Sequence, residues 1–136
     1  MQPIIHKPVW IVIVLLIAAG LACSISTSTA HFENPKMYKD ADGTTRTTSY
    51  APADTFYCRV ELKNAAGDIP TKAEWYAVSV EDKTVRTLIT QAEMESGDGT
   101  LTFDLTPPQE GWPVGSYQVV LYLNDKPKET LTFKVK

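Results

Sequence analysis

The clearest structural signal in the sequence is the segment Phe56-Tyr-Cys-Arg-Val-Glu-Leu-Lys63. Every second residue in it is apolar, and the residues between are mostly charged. Because successive side chains of a strand point to opposite faces, this pattern is typical of a strand that buries one face and exposes the other. Antiparallel sheets commonly have one such covered face and one solvated face. The segment therefore predicts an antiparallel sheet packed over a core.

Further strand-like segments surround this one, and turn-forming Gly, Asn, Asp and Pro residues separate them. The predicted strands cover residues 30–38, 56–63, 73–80, 84–90, 100–105, 117–123 and 130–135. We find no helical periodicity beyond the first two dozen residues and no internal repeat. About seven short strands at this spacing predict an all-β sandwich, with a closed barrel as the alternative.

Cys58 lies mid-way along one predicted strand, Trp75 lies on the next, and Tyr117 lies at a later corner. These three landmarks resemble those of immunoglobulin-like (Ig-like) domains, which have a core residue, a Trp and a Tyr at these places. Gly111-Trp-Pro-Val-Gly-Ser-Tyr-Gln-Val-Val-Leu-Tyr-Leu123 is similar to a pattern in the Ig-like domains of prokaryotic surface lipoproteins. The resemblance implies an Ig-like antiparallel β-sandwich over residues 31–136. The predicted core includes Phe56, Cys58, Trp75, Phe103, Tyr117 and Phe133.

Cys58 lacks the partner that antibody-type domains supply. The position two after Tyr117 would carry that partner, and it is Val119. If Cys23 carries a lipid, Cys58 has no mate in the chain. A lone buried cysteine behaves as a small hydrophobe, and a reactive or intermolecular thiol is the alternative.

The N-terminus is much more apolar than the rest of the chain. Residues 9–22 (VWIVIVLLIAAGLA) carry no charge, and Lys7 is the only Lys, Arg, Asp or Glu before Glu33. As a helix this run would be about 21 Å long, which is short of the roughly 30 Å hydrocarbon core of a bilayer. A basic start, a short apolar run and small closing residues are typical of a secretion signal. We therefore expect a signal helix in residues 1–22.

The end of this run, Ala19-Gly-Leu-Ala-Cys23, resembles the lipobox of bacterial lipoproteins. The resemblance implies cleavage between Ala22 and Cys23 and a diacylglycerol anchor on Cys23, in the cell membrane or an outer membrane. Gly20 stands where the family usually has Leu. A plain signal peptide cut near Ala22 and an uncleaved anchor helix are the alternatives. All three place the later residues outside the cytoplasm, and the small polar residues of 23–30 predict a flexible tether.

The composition argues against several kinds of function. The formal net charge is −3 and no basic residues cluster, so we expect no nucleic-acid partner. The two histidines are His6, in the signal, and His31, near the tether. Since catalysis needs convergent groups, this predicts a protein that is not an enzyme. We also expect no cofactor and no zinc site, because no Cys/His spacing supports one.

Two acidic segments could hold a cation, and each has a simpler interpretation. Asp40-Ala-Asp-Gly43 resembles the start of a calcium loop, but the later ligands fail, so a plain turn is favoured. Glu93, Glu95 and Asp98 lie beside a glycine turn and predict a solvated acidic loop.

Exposed aromatics are the remaining candidates for recognition. Tyr57, Tyr76 and Tyr122 alternate out of phase with the core residues and could form a flat platform if they share one sheet face. We expect Trp112, in a Pro/Gly corner, to pack over the end of the sandwich. The sequence thus predicts a lipid-anchored, non-enzymatic interaction or accessory module of the cell envelope that contacts an envelope or surface protein. The alternative is a carbohydrate-binding module that uses these tyrosines.

Overall fold

The computed structural model describes residues 29–136, so the predicted signal, Ala22, Cys23 and most of the predicted tether lie outside the described residues. The described part contains eight strands and no helix that could span a membrane. The strands are β1 (His31–Tyr38), β2 (Ser49–Tyr50), β3 (Phe56–Lys63), β4 (Ile69–Val80), β5 (Thr87–Ser96), β6 (Gly99–Leu105), β7 (Gly115–Leu123) and β8 (Lys126–Val135).

These strands form two sheets that pack face to face. One sheet has three strands in the order β1-β3-β6, and the other has five in the order β2-β8-β7-β4-β5. All neighbouring strands are antiparallel except β2 and β8, which pair in parallel. The prediction of an all-β sandwich is confirmed. The alternative of a closed barrel is wrong, because the strands fall into two separate sheets.

Strand β3 has the predicted alternation. Its inward residues Phe56, Cys58, Val60 and Leu62 are buried, and the residues between them are half-buried. β6 repeats the pattern in register, since Cys58 lies opposite Phe103 and Val60 lies opposite Leu101. The buried side chains of both strands therefore cover one side of the core.

An aromatic cluster fills one end of this core, with the ring of Phe56 at its centre. The centroid of Phe56 lies 4.5 Å from that of Trp112, 4.6 Å from Phe133 and 4.9 Å from Tyr50. Trp75 and Tyr117 complete the cluster at 6.1 and 5.5 Å from Phe56. The six residues predicted for the core, Phe56, Cys58, Trp75, Phe103, Tyr117 and Phe133, are all at most 2% exposed.

The Pro/Gly corner before β7 closes the same end. Trp112 is 6% exposed, stacks on Phe56 and donates its indole N–H to the Asp54 carbonyl at 2.8 Å. Tyr117 donates its hydroxyl to the Pro113 carbonyl at 2.6 Å. Gly115 has a φ of 154°, and a Cβ there would collide with the carbonyl oxygen of Ser79. The corner therefore needs a glycine at this close approach, and Trp112 packs as expected.

Two strands differ most from the sequence prediction, and β4 and β8 also begin at Ile69 and Lys126, before their predicted starts at 73 and 130. The short strand β2 was missed, because two residues are too few for a period to show. The predicted strand over 84–90 is displaced: β5 runs over Thr87–Ser96, so Glu93 and Glu95 lie in a strand and not in the predicted acidic loop. The reason is that β5 buries neither face, so its residues need not alternate between apolar and polar.

Candidate functional site

Neither acidic segment forms a metal centre. No group of three or more His, Cys, Asp or Glu side chains converges anywhere in residues 29–136. The Asp40 carboxylate accepts the Thr44 hydroxyl at 2.6 Å and the Thr45 amide at 2.9 Å. These hydrogen bonds, with that of the Thr44 amide, hold the pKa of Asp40 at about 2. Asp40 therefore stabilises a turn with the oxygens that a cation would need.

His31 and Cys58 are both engaged away from any cleft. The His31 Nε2 lies 2.7 Å from a Glu33 carboxylate oxygen, and its Nδ1 lies 2.9 Å from the Thr29 carbonyl. These two contacts raise the pKa of His31, the Thr29 carbonyl more than Glu33. Cys58 is fully buried, and burial raises the pKa of its thiol to about 12. The Cys58 thiol therefore stays protonated at neutral pH and packs as an apolar group.

The three candidate tyrosines do not share a face. Tyr57 lies on β3, in the three-stranded sheet, whereas Tyr76 and Tyr122 lie on β4 and β7 in the five-stranded sheet. A single platform of all three is therefore wrong. The sequence placed each residue on the outer side of its strand, but it could not say which strands share a sheet.

Tyr76 and Tyr122 meet at a carboxylate in the middle of the outer face. The Tyr76 hydroxyl donates to Glu74 at 2.9 Å, and the Lys72 ammonium lies 3.6 Å from the other Glu74 oxygen. A hydrogen bond from Tyr122 is the largest of the effects that lower the pKa of Glu74, and it raises the pKa of Tyr122 to about 12. We call these residues, with Arg86, the Glu74 cluster.

Cations cover both tyrosine rings of the Glu74 cluster. The Arg86 guanidinium carbon lies 3.6 Å from the centroid of the Tyr76 ring, and the Lys72 ammonium lies 4.3 Å from that of Tyr122. The Arg86 Nε also donates to the side-chain amide oxygen (Oε1) of Gln118 at 3.3 Å. A sugar ring that stacked on this side of either tyrosine would have to displace a cation that the ring already attracts.

The edge of the five-stranded sheet at β5 is the most exposed structured part of the described chain. Nine of its ten residues are exposed, and Ser96 is half-buried. Apolar side chains contribute to this surface, since Leu88 is 47%, Ile89 38% and Met94 37% exposed. We call Thr87–Ser96 the β5 edge. It has no further strand beside it in the described residues.

The two sides of the β5 edge differ in chemistry. In the ladder with β4, Glu93 lies opposite Lys72, and Glu95 lies opposite Pro70, so the two carboxylates share the outer face with the Glu74 cluster. Met94 lies opposite Thr71 on the inner side. A pocket of about 200 Å³ opens where the edge ends, and its wall includes Glu93, Glu95 and Asp125.

The opposite edge of the same sheet, at β8, is protected. β2 pairs with its last residues, at Lys134 and Val135. The exposed beginning of the strand reads Lys126-Pro-Lys128. Lysines and prolines are the residues that natural proteins place on strand edges to prevent pairing with other chains. The β5 edge contains no Lys, Arg or Pro in its sequence TLITQAEMES.

The likeness to known proteins lies in the fold. No protein-family model and no curated protein matches the chain. An immunoglobulin-like protein from Pseudomonas aeruginosa superimposes with a TM-score of 0.55 at 13% identity, over 82% of this chain and 100% of that one. At this identity the likeness shows the fold alone. The predicted Ig-like sandwich is thereby confirmed.

Larger proteins contain the same fold as one part. An alkylpurine DNA glycosylase from Pseudomonas fluorescens matches with a TM-score of 0.55 at 8% identity, over 80% of this chain and 31% of that one. A β-glucosidase from Listeria innocua matches with a TM-score of 0.50 at 17% identity, over 81% of this chain and 16% of that one. The chain therefore spans less than a third of either enzyme, and neither likeness bears on its activity.

The sequence prediction missed the β5 edge and the part that Arg86 plays in the Glu74 cluster. One signal was present, but it does not single out the edge: residues 87–106 contain no Lys, Arg or Pro, and this run also includes β6. No pattern in the sequence indicated the role of Arg86, because its contact with Tyr76 depends on the bend that the chain makes after Val80. At this bend Glu81 and Asp82 have φ values of 50° and 62°.

Proposed function

We propose that this chain is a non-enzymatic interaction module, anchored by a lipid on Cys23 outside the cytoplasm, and that the β5 edge is its contact surface. The observation that carries this proposal is a ten-residue strand that is exposed on both faces and contains no Lys, Arg or Pro. An edge strand presents unpaired backbone N–H and C=O groups, which a second chain can pair with. The protected β8 edge makes the β5 edge the side of the sheet on which such pairing is favoured.

The proposed anchor defines where the partner is reached. Residues 24–30 span at most about 25 Å when fully extended. A domain that begins at His31 would therefore stay close to the bilayer that holds the lipid. A diacyl anchor holds a protein stably in a membrane, where a single acyl chain is marginal. The favoured partner is thus an envelope or surface protein.

The carbohydrate-binding alternative has less support from the geometry. Only Tyr76 and Tyr122 share a face, and Arg86 and Lys72 cover their rings. A glycan array tests this alternative directly. Binding that disappears in both Tyr76→Ala and Tyr122→Ala, but not in Tyr57→Ala, would favour a sugar site over the β5 edge.

The absence of catalysis is also part of the proposal. His31 is held at the surface by Glu33 and the Thr29 carbonyl, and burial keeps the Cys58 thiol protonated. Neither has the arrangement of a base next to a nucleophile. Turnover by the purified full chain on a panel of ester, peptide and glycoside substrates would overturn this part.

The test of the contact surface is site-specific photo-crosslinking in cells. A photoreactive residue replaces Gln91 on the β5 edge and, as a matched control, Thr102 on the edge strand β6 of the other sheet. We expect one discrete adduct from position 91 and none from position 102. Equal adducts from both positions would show that the β5 edge is not the contact surface.

The Cys23→Ala variant of the position-91 protein tests the anchor in the same cells. We expect Cys23→Ala to leave the membrane fraction and to lose the adduct, and mass spectrometry of the unaltered protein to find diacylglycerol on Cys23. Unchanged membrane association of Cys23→Ala would contradict the lipid anchor and favour the alternative of an uncleaved anchor helix.

A further inference from the structure

We infer that the partner of the β5 edge is an extended segment that carries Lys or Arg at alternate positions and joins the five-stranded sheet as a further strand. This inference rests on the proposed function and specifies its ligand. Strand addition obtains its affinity from main-chain hydrogen bonds and its specificity from alternate side chains. The alternate side chains of the β5 edge therefore define which segment fits.

The outer face of the edge carries two carboxylates and no basic residue of its own. Glu93 and Glu95 make no ion pair within residues 29–136, and β5 contributes no basic residue. Lys72, the ladder neighbour of Glu93, is committed to Glu74 and to the Tyr122 ring. A strand added beside β5 would place its outer side chains next to the two carboxylates, where opposite charges stabilise cross-strand pairs.

The pocket at the end of the edge extends this negative charge. Asp125, in the turn between β7 and β8, lines it together with Glu93 and Glu95. Three acidic residues thus line one opening without converging on a point, and Lys72 is the one basic residue in its wall. A long basic side chain that leaves the added strand at this end can enter the pocket.

The inner face of the edge favours apolar or small side chains. Thr90, Ala92 and Met94 lie on this side, opposite Trp75, Ala73 and Thr71 of β4. All three β5 residues are exposed, whereas their β4 partners are buried. The fitting segment therefore alternates basic residues on one side with apolar ones on the other.

A second copy of the chain fits this edge poorly. Pairing two β5 strands would bring four Glu carboxylates together with no basic residue on either strand. The ladder with β4 is also irregular between Trp75 and Tyr76, so Leu88 faces outward beside Tyr76 while Met94 faces inward. In an antiparallel pair of two copies, the Leu88 side chain of one copy and the Met94 side chain of the other would therefore lie on opposite faces and could not cover each other.

Two synthetic peptides test the inference against the full chain in detergent micelles. One has the sequence Thr-Lys-Val-Lys-Val-Lys-Val-Thr, and the other has Glu in place of each Lys. We expect the Lys peptide to bind about tenfold or more tightly than the Glu peptide, with the difference falling as salt rises. Hydrogen exchange should slow in residues 87–96 when the Lys peptide is present.

Charge-reversal variants locate the interaction. The double variant Glu93→Lys/Glu95→Lys should lose the preference for the Lys peptide or reverse it. Asp104→Lys changes an exposed acid on the edge strand β6 of the other sheet and should leave the preference unchanged. Equal loss in both variants would show that the Lys peptide responds only to the net charge of the protein.

Three results would overturn the inference. These are equal binding of both peptides, protection from exchange outside residues 87–96, and protection of β5 that appears without peptide and grows with protein concentration. The last result would identify a second copy as the occupant. If a β5-specific cross-link in cells were found together with any of these results, the proposed interaction module would still be supported. Only the inference that its partner is a basic segment would be rejected.

Discussion

Strands β4 and β5 are neighbours in one sheet, and their paired residues lie in opposite environments. Thr71, Ala73 and Trp75 are at most 2% exposed, yet Met94, Ala92 and Thr90, which lie opposite them, are exposed. The reason is the second layer: the three-stranded sheet covers β4 and does not extend over β5. A strand can therefore be fully paired on one side and still contribute almost nothing to the core. We expect β4 to determine stability and β5 to determine contacts.

The largest expected difference between the two strands is at the pair Trp75 and Thr90. Trp75→Ala removes a buried ring next to Phe56 and Phe133 and should lower the free energy of unfolding by about 3–5 kcal/mol. Thr90→Ala changes an exposed residue and should lower it by less than about 0.5 kcal/mol. Urea denaturation measures both values, and similar losses would show that β5 contributes to the core as much as β4 does.

The link between the two strands gives the next effect. Thr71 is buried on β4 and donates its hydroxyl to the Met94 carbonyl of β5 at 2.7 Å. Thr71→Val keeps the shape but loses this hydrogen bond, at a cost of about 0.5–1.5 kcal/mol. Hydrogen exchange should become faster in β5 and stay nearly unchanged in β3. An equal increase in both strands would mean that β5 unfolds together with the core.

The outer face of β4 should make the stability of the fold depend on pH. Hydrogen bonds from Tyr122 and Tyr76 and the charge of Lys72 lower the pKa of Glu74 below its ordinary 4.5. Since the folded state then binds the proton less tightly than the unfolded state, Glu74 stabilises the fold above pH 4.5. This contribution is lost as pH falls through the lowered value.

The Glu74→Gln variant isolates this contribution, because it removes the carboxylate and keeps the shape of the side chain. It should flatten the decrease in stability below pH 4.5. Thermal unfolding at a series of pH values measures the decrease in both proteins. An equally steep decrease in Glu74→Gln would show that the Glu74 carboxylate does not contribute to it.

The smallest expected effect on stability is at Ile89. Ile89→Lys places a protective lysine on the β5 edge, where the side chain is already 38% exposed. The melting temperature should hardly change, because exposed substitutions alter stability by about 0.5 kcal/mol or less. Adduct formation from position 91 should nevertheless fall. Full adduct formation in a stable Ile89→Lys protein would show that the β5 edge is not part of the contact surface.

The core could be predicted from sequence because its pattern is local. Phe56, Cys58, Val60 and Leu62 alternate with polar residues, and a strand turns that period directly into one buried face. Trp75 and Tyr117 were identified by their places in the Ig-like pattern, and both are buried. Cys58 was expected to behave as a small hydrophobe, and its burial and raised pKa agree with this.

The candidate site could be predicted only in part, because its residues belong to different strands. The sequence placed Tyr57, Tyr76 and Tyr122 outward, but the strand order separates Tyr57 from the other two. The bend after Val80 places Arg86 on the Tyr76 ring, and no pattern in the sequence indicates that contact. The sequence predicted a loop at Glu93 and Glu95, because a strand that no second sheet covers lacks the apolar face by which strands are recognised.

Local patterns account for the strand character, the two-sided alternation of β3 and β6 and the inward side of the core residues on these strands, because each depends on neighbours along the chain. The packing of the folded chain settles which strands share a sheet, which edge is protected, which aromatic rings meet and which face the second sheet leaves bare. Those outcomes depend on hydrogen bonds and packing between residues far apart in sequence. For this reason β4 and β5, paired residue by residue, have opposite environments.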